Sequence, residues 1–324
     1  RGLGDVYKRQ TVTIMIDKTG YEVTTYRIDG EYEDGRHPKS IEFSDRLVDD
    51  LCRRDFTINA MAYNDTDGFV DEFKGLDDLD TKIIRCVGEP ELRFTEDALR
   101  MMRAIRFSAQ LGFTIDEATW NAIKKLSPSI SKISMERVHV ELGKTLMSAH
   151  PDYVAQYSEA GLFAPILPVI DNALKSRYKR KILATLQHTP DNIYLRYAAL
   201  FITSTPDEAA KTLRALKLDN KTVNTVSKLV ELSKMDIEET EPAVRTALNK
   251  YGRDFLTLWH ELMMAVIQAS EDITGISNPA KVKHLLTLKR LGTDILARGD
   301  CFTIKDLDIS GNDLIEYGLS LIHI

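Results

Sequence analysis

"IIRCVGEPELRFTEDALRMMRAIRFSAQLGF", residues 83–113, changes its period partway through. Up to Gly88 the run is short and strand-like. Beyond it helical spacing takes over, with Leu99, Met102, Ile105 and Ala109 on or near one face and Thr95 expected to cap the helix. The change divides a strand-bearing piece from a helical one. It makes the chain α+β, with a small piece of β-sheet and helices followed by an all-α array.

Before this boundary, "TVTIMID", "KTG" and "YEVTTYRID" (residues 11–29) are two β-rich runs about a glycine-containing turn, which predicts a hairpin. "DGEYEDGRHP" is polar, with two glycines and a proline, and reads as a loop. A short helix is expected around "SDRLVDDLCRR", and strands in "TINAMAYN", "GFVDEF" and "KIIRCVG". "RRDFTINAMAYN", residues 53–64, is unusual in setting two arginines and an aspartate at the entry of an apolar stretch. Adjacent charges are normally kept off an element heading into a core, unless something anionic waits there. After the boundary come "DEATWNAIKKL" and "SMERVHVELGKTLM", helices opened by Asp116 and Ser134.

The 324 residues suit two or more domains, and 43% hydrophobic with 28% charged residues is ordinary for a globular protein. No apolar run approaches a membrane span and no signal-peptide core opens the chain, so a cytoplasmic protein is expected. Cys52, Cys86 and Cys301 are too scattered for a disulfide framework or a zinc site and are read as reduced thiols. A net charge of −6 argues against a general nucleic-acid coat but not against a local basic groove. "RGLGDVYKRQ" (1–10) and "SLIHI" (320–324) fit no neighbouring element and resemble translated adapter sequence.

"YEVTTYRIDGEYEDGRHP", "RRDFTINAMAYN", "GFVDEFKGLDDL", "IIRCVGEPELRFTEDALRMMRAIRFSAQLGF" and "SMERVHVELGKTL" follow, in order and spacing, the motifs of bacterial class II tRNA nucleotidyltransferases. These are the CCA-adding enzymes and their poly(A) polymerase kin. The resemblance is strong over residues 11–147 and looser beyond. It implies a head at 11–85, a nucleotide-selecting neck at 86–147, a body at 148–235 and a tRNA-binding tail at 236–319. It also implies transfer of CMP and AMP from CTP and ATP to the 3′ end of tRNA, with Mg2+. No oligomeric state follows from it.

Within that resemblance the residues acquire roles. Guanidinium forks bind phosphate oxygens bidentately, so Arg53 and Arg54 are expected to hold a triphosphate. Asp55 would orient one of them, and Asn59 suits a ribose hydroxyl. A capping aspartate beside two solvated arginines is the plainer alternative. In "EDALR", residues 96–100, Asp97 and Arg100 lie three apart, where an intrahelical pair is common. The alternative is base reading. Cytosine and adenine each set an exocyclic amine beside a ring-nitrogen acceptor, which suits one carboxylate and one guanidinium; uracil and guanine present the reverse. The family template matches Asp97 and Arg100, with Arg103 added to the nucleotide set.

Catalysis in the family needs metal-holding carboxylates. Its G-G-x-V-R-D stretch and following D-x-D should precede Thr11 and are not there; Glu22 matches a third acidic residue and is the one candidate catalytic and metal-side group. The expectation is that these 324 residues lack activity. Asp34, Arg36 and His37 match the flexible loop for the switch from C to A addition, or are ordinary turn residues. "RYAALFITST" lacks the His-Asp pair of a phosphohydrolase module. "LKSRYKRK" (174–181) and "KVKHLLTLKRLG" (281–292) are solvated faces or phosphate tracks. A poly(A) polymerase and a non-catalytic RNA-binding fragment stay open as alternatives.

Overall fold

A computed structural model describes residues 12–30, 41–302, 306, 308, 309 and 311–317. The chain divides at Pro168 into two units. Asp34, Arg36 and His37 lie outside the described residues, as do both terminal segments set apart above.

In the first unit β1 (Val12–Ile16) pairs antiparallel with β2 (Thr19–Val23). The turn is Asp17–Lys18, both at positive φ, the two-residue connection whose twist matches that of the strands. The expected turn "KTG" is thereby corrected: Gly20 belongs to β2 and faces Met15. Every residue of this hairpin is exposed, including Ile14, Met15 and Tyr21. β3 (Arg27–Asp29) pairs with β4 (Ile41–Phe43), and β5 (Ala62–Asn64) with β6 (Gly68–Val70). The described strands therefore pair two by two, in four separate ladders.

Behind them α1 (Leu47–Cys52) packs Leu51 against Ala60 and Val87, with Leu47, Val70 and Phe73 around them. α2 (Gly75–Asp80) is opened by Asp71, whose carboxylate accepts from the Gly75 and Leu76 amides. Only glycine fits at 75, since a Cβ there would stand 2.4 Å from the Thr57 carbonyl oxygen. Part of "TINAMAYN" is a 3-10 turn, Thr57–Asn59, rather than strand. It is tied down by the Thr57 hydroxyl, which donates to Asp78 at 2.7 Å. Phe56 bridges Cys86, and the Val87 amide donates to the Asp55 carbonyl at 3.1 Å. The arginine-bearing segment is thus stitched to the edge of the helical boundary.

β7 (Ile83–Ile84) runs parallel to β8 (Thr114–Ile115), and between them lie α3 (Pro90–Glu96) and α4 (Leu99–Leu111). The face predicted for α4 is the buried one: Leu99, Met102, Ile105 and Ala109 are all nearly or fully inaccessible. Burying such side chains stabilises by roughly 1.5–3 kcal/mol each for the larger ones. Thr95 is not the cap. It lies inside α3 with its hydroxyl on the Glu91 carbonyl, and the helix breaks at Asp97, extended at φ −147. Asp97 accepts the Leu99 amide at 3.0 Å in the break before α4, whose cap position, Ala98, carries no side-chain bond. α5 (Glu117–Leu126) is capped by Asp116 as expected, through the Thr119 amide. At the start of α6 (Met135–Leu146) Ser134 holds the cap position without a side-chain cap bond. α7 (Val154–Glu159) carries the buried Tyr157, whose hydroxyl reaches Thr145 and the Met102 carbonyl.

The second unit is helical throughout its described residues: α8 (Pro168–Lys175), α9 (Lys179–His188), α10 (Ile193–Leu200), α11 (Pro206–Ala215), α12 (Asn220–Leu232), α13 (Glu241–Tyr251), α14 (Phe255–Thr274), α15 (Pro279–Ala297) and α16 (Gly311–Glu316). Trp259 on α14 lies in its core, the indole donating to the Leu232 carbonyl. The division at Pro168 falls inside the stretch expected to be the body. Among the described residues no helix is long and apolar enough to cross a membrane.

Candidate functional site

The unit ending at Pro168 contains a cleft of about 550 Å³ lined by five arginines, 53, 54, 100, 103 and 137, two aspartates, 55 and 97, and Asn59, Leu99 and Phe107. All seven residues expected around a nucleotide, from Arg53 to Arg103, are brought together there. They arrive from four elements: the end of α1, the 3-10 turn, the break after α3 and the outer face of α4.

Each cation is held by a carboxylate. Asp50, 1% exposed, takes the Arg53 fork at 2.9 and 2.5 Å and one Arg54 nitrogen at 3.3 Å. Arg54 also donates to the Asn59 carbonyl at 2.9 Å, while its Nε is buried without a hydrogen bond. A buried donor left unspent is costly, and functional sites are where such groups concentrate. The place expected for Asp55, on Arg53 or Arg54, is taken by Asp50. Asp55 accepts from Arg103 Nε at 2.7 Å and from Asn59 Nδ2 at 3.1 Å. The latter bond leaves the Asn59 amide oxygen as an acceptor.

Asp97 and Arg100 do not pair with each other, and the helix break between them removes the shared face expected for a pair three apart. Asp97 receives the Arg137 fork, at 3.2 Å on one oxygen and 2.6 Å on the other. Arg100 donates to Glu96, to the Arg93 carbonyl at 3.1 Å and to the Arg53 carbonyl at 2.8 Å. Glu96 is braced in turn by Arg93 at 2.6 Å. A guanidinium has five N–H donors and a carboxylate about four acceptor positions. With Leu99 and Arg137 attached, Asp97 retains one acceptor position, on Oδ2. With three donors committed, Arg100 retains two.

Phe107 closes one side, with the Arg106 guanidinium 3.7 Å from its ring centroid and Phe56 edge-on at 5.8 Å. Arg106 is itself buried on Glu141. Behind the cleft burial pushes the Cys86 thiol up to about 12, so it stays protonated and inert.

Sequence reasoning missed Asp50, Glu96, Phe107 and Arg137 as members of this site. Asp50 was legible in principle from its three- and four-residue spacing to Arg53 and Arg54. Arg137 was not, being forty residues from its partner. Glu22 stands apart from the cleft residues, exposed on β2 opposite Thr13. Among the described residues no three His, Cys, Asp or Glu side chains cluster so as to hold a metal ion.

An arginine-lined cleft where a small α/β head meets a helical array defines the class, that of the nucleotidyltransferases. A profile described as "Poly A polymerase head domain" matches residues 4–85, and one described as "Probable RNA and SrmB- binding site of polymerase A" matches residues 112–174. The CCA-adding enzyme of Ligilactobacillus salivarius (strain UCC118) is 52% identical over 141 residues, 44% of this chain and 35% of that protein. That of Geobacillus sp. (strain WCH70) is 34% identical over 313 residues, 95% of this chain and 72% of that protein. The crystal structure of the Bacillus stearothermophilus CCA-adding enzyme in complex with CTP superposes with a TM-score of 0.70 at 30% identity, covering 97% of this chain and 73% of that one. The chain belongs to the family of CCA-adding enzymes.

Proposed function

We propose that the protein transfers CMP and AMP from CTP and ATP to the 3′ end of tRNA, choosing the nucleotide with amino-acid side chains instead of a nucleic-acid template. One observation carries the reading. A single cleft holds an acceptor-only group with one position left, Asp97, and a donor-only group with two left, Arg100. Cytosine and adenine present one amine beside a ring acceptor and satisfy both groups; uracil and guanine would set like against like. A site whose buried polar groups go unpaired rejects the wrong ligand strongly.

The remaining lining residues divide the rest of the work. Arg53 and Arg54, steadied from behind by Asp50, bind the triphosphate. Asn59, oriented by Asp55, accepts a ribose hydroxyl. Arg103, on the same carboxylate, supplies a further cation to the pocket wall. A divalent ion such as Mg2+, when bound, would supply activation of the attacking hydroxyl and charge neutralisation at pyrophosphate. Glu22 is the described carboxylate that would help hold it. The tRNA 3′ end is the acceptor, and basic runs such as residues 174–181 are proposed to track its phosphates.

The test is incorporation into a tRNA that ends at the discriminator base. Addition of three nucleotides followed by a stop supports the reading, and long homopolymer tails on unrelated RNA favour a poly(A) polymerase. An RNA-binding fragment predicts tRNA binding with no selective CTP binding.

A further inference from the structure

We infer that Arg137, on the first turn of α6, is a specificity-determining positioning residue: its fork holds the Asp97 carboxylate in the one orientation that offers a single acceptor position to a base. The inference rests on the nucleotide-selecting reading above.

Asp97 has little else to fix it. Its backbone is extended and outside both flanking helices, so neither helix sets its rotamer. A carboxylate turns readily about its last torsion, which is broad and two-fold. Through the Leu99 amide alone, at 3.0 Å on Oδ1, the group pivots on one bond. The Arg137 contacts, at 3.2 Å on Oδ1 and 2.6 Å on Oδ2, convert that pivot into a plane. They also occupy the second position on Oδ1 and the first on Oδ2, so the acceptor left over has a defined direction. Arg137 lines the same cleft and is only partly exposed, with a side-chain accessibility of 24%. A free carboxylate would follow a misplaced base by rotating, and a clamped one cannot. Discrimination between cytosine and uracil depends on that refusal, because an unyielding acceptor facing a carbonyl leaves both unpaired.

The experiment measures CTP, UTP and inorganic tripolyphosphate binding by calorimetry to this chain and to Arg137→Met and Arg137→Lys. The CTP-over-UTP preference is expected to fall on the order of tenfold in Arg137→Met, the size of one well-made base contact. Tripolyphosphate affinity, set at Arg53 and Arg54, is expected to hold. Arg137→Lys keeps the charge but not the fork and is expected to lose most of the preference too, which also serves if the methionine variant does not fold. An undiminished preference in both variants overturns the inference alone. So does an equal loss of CTP and tripolyphosphate affinity, which marks a merely structural role. A wild-type chain that binds tripolyphosphate but does not prefer CTP to UTP overturns the proposed function and the inference together.

Discussion

Arg100→Ala is the substitution that separates base selection from phosphate binding. The side chain, 13% exposed, makes three hydrogen bonds, to Glu96 and to the carbonyls of Arg93 and Arg53. Glu96 keeps its Arg93 partner at 2.6 Å after the change, and the Arg93 carbonyl keeps the Asp97 amide at 3.4 Å. No buried charge is orphaned, so the stability cost should be about 1–3 kcal/mol, chiefly the lost bond to Arg53 and the lost packing. The two uncommitted donors disappear with the side chain. One good bidentate base contact discriminates by roughly 1–3 kcal/mol, so the CTP-over-UTP ratio should fall about five- to 150-fold. Tripolyphosphate affinity should change far less, since Arg53 and Arg54 remain on Asp50. Competitive incorporation of CTP and UTP gives the ratio, calorimetry the triphosphate affinity, and urea denaturation the stability. A variant that rejects UTP as strongly as the wild type refutes the assignment of Arg100 to base reading.

Four further outcomes follow from the packing and the site. Glu141→Ala leaves the buried Arg106 guanidinium without a carboxylate, its bond to Gln110 at 2.6 Å remaining, since the two side chains are only 5% and 7% exposed, and should cost about 3 kcal/mol by denaturation, with Arg106→Met in the same chain recovering part of it. At pH 8 a thiol reagent should modify Cys52 and Cys301, both exposed, and reach buried Cys86 only in denaturant. Burial raises the Cys86 thiol to about 12, so the stability it contributes is full below its ordinary value near 9 and is lost as pH rises toward 12; Cys86→Ala should flatten that alkaline decline. Asp55→Asn should loosen Arg103 and Asn59 together, weakening CTP more than inorganic tripolyphosphate, because the phosphate arginines sit on Asp50; equal weakening of both ligands argues against a ribose role for Asn59.

The legibility of this chain follows the range of its interactions. Local rules reached far: the period change near Gly88, the buried face of α4 and the Asp116 cap all depend on residues within a turn or two of one another, and all are as the spacing predicts. The short motifs also named side chains that meet in the fold, since Arg53, Asn59, Asp97 and Arg100 converge on one cleft. The pairings among them were another matter. Asp97 was expected beside Arg100 on one helix, but the helix breaks at Asp97, and its carboxylate turns to Arg137 instead. Asp55 was expected on Arg53 or Arg54, and it holds Arg103, forty-eight residues away, because Asp50 already serves the nearer arginines. An ion pair between distant segments is selected by which groups packing brings within bonding reach, and no spacing rule carries that information. The sequence by itself named seven residues that line one cleft. Only the tertiary structure decided which of their donors and acceptors are spent on each other and which are left for a ligand, because that division is set by where four separate elements come to rest.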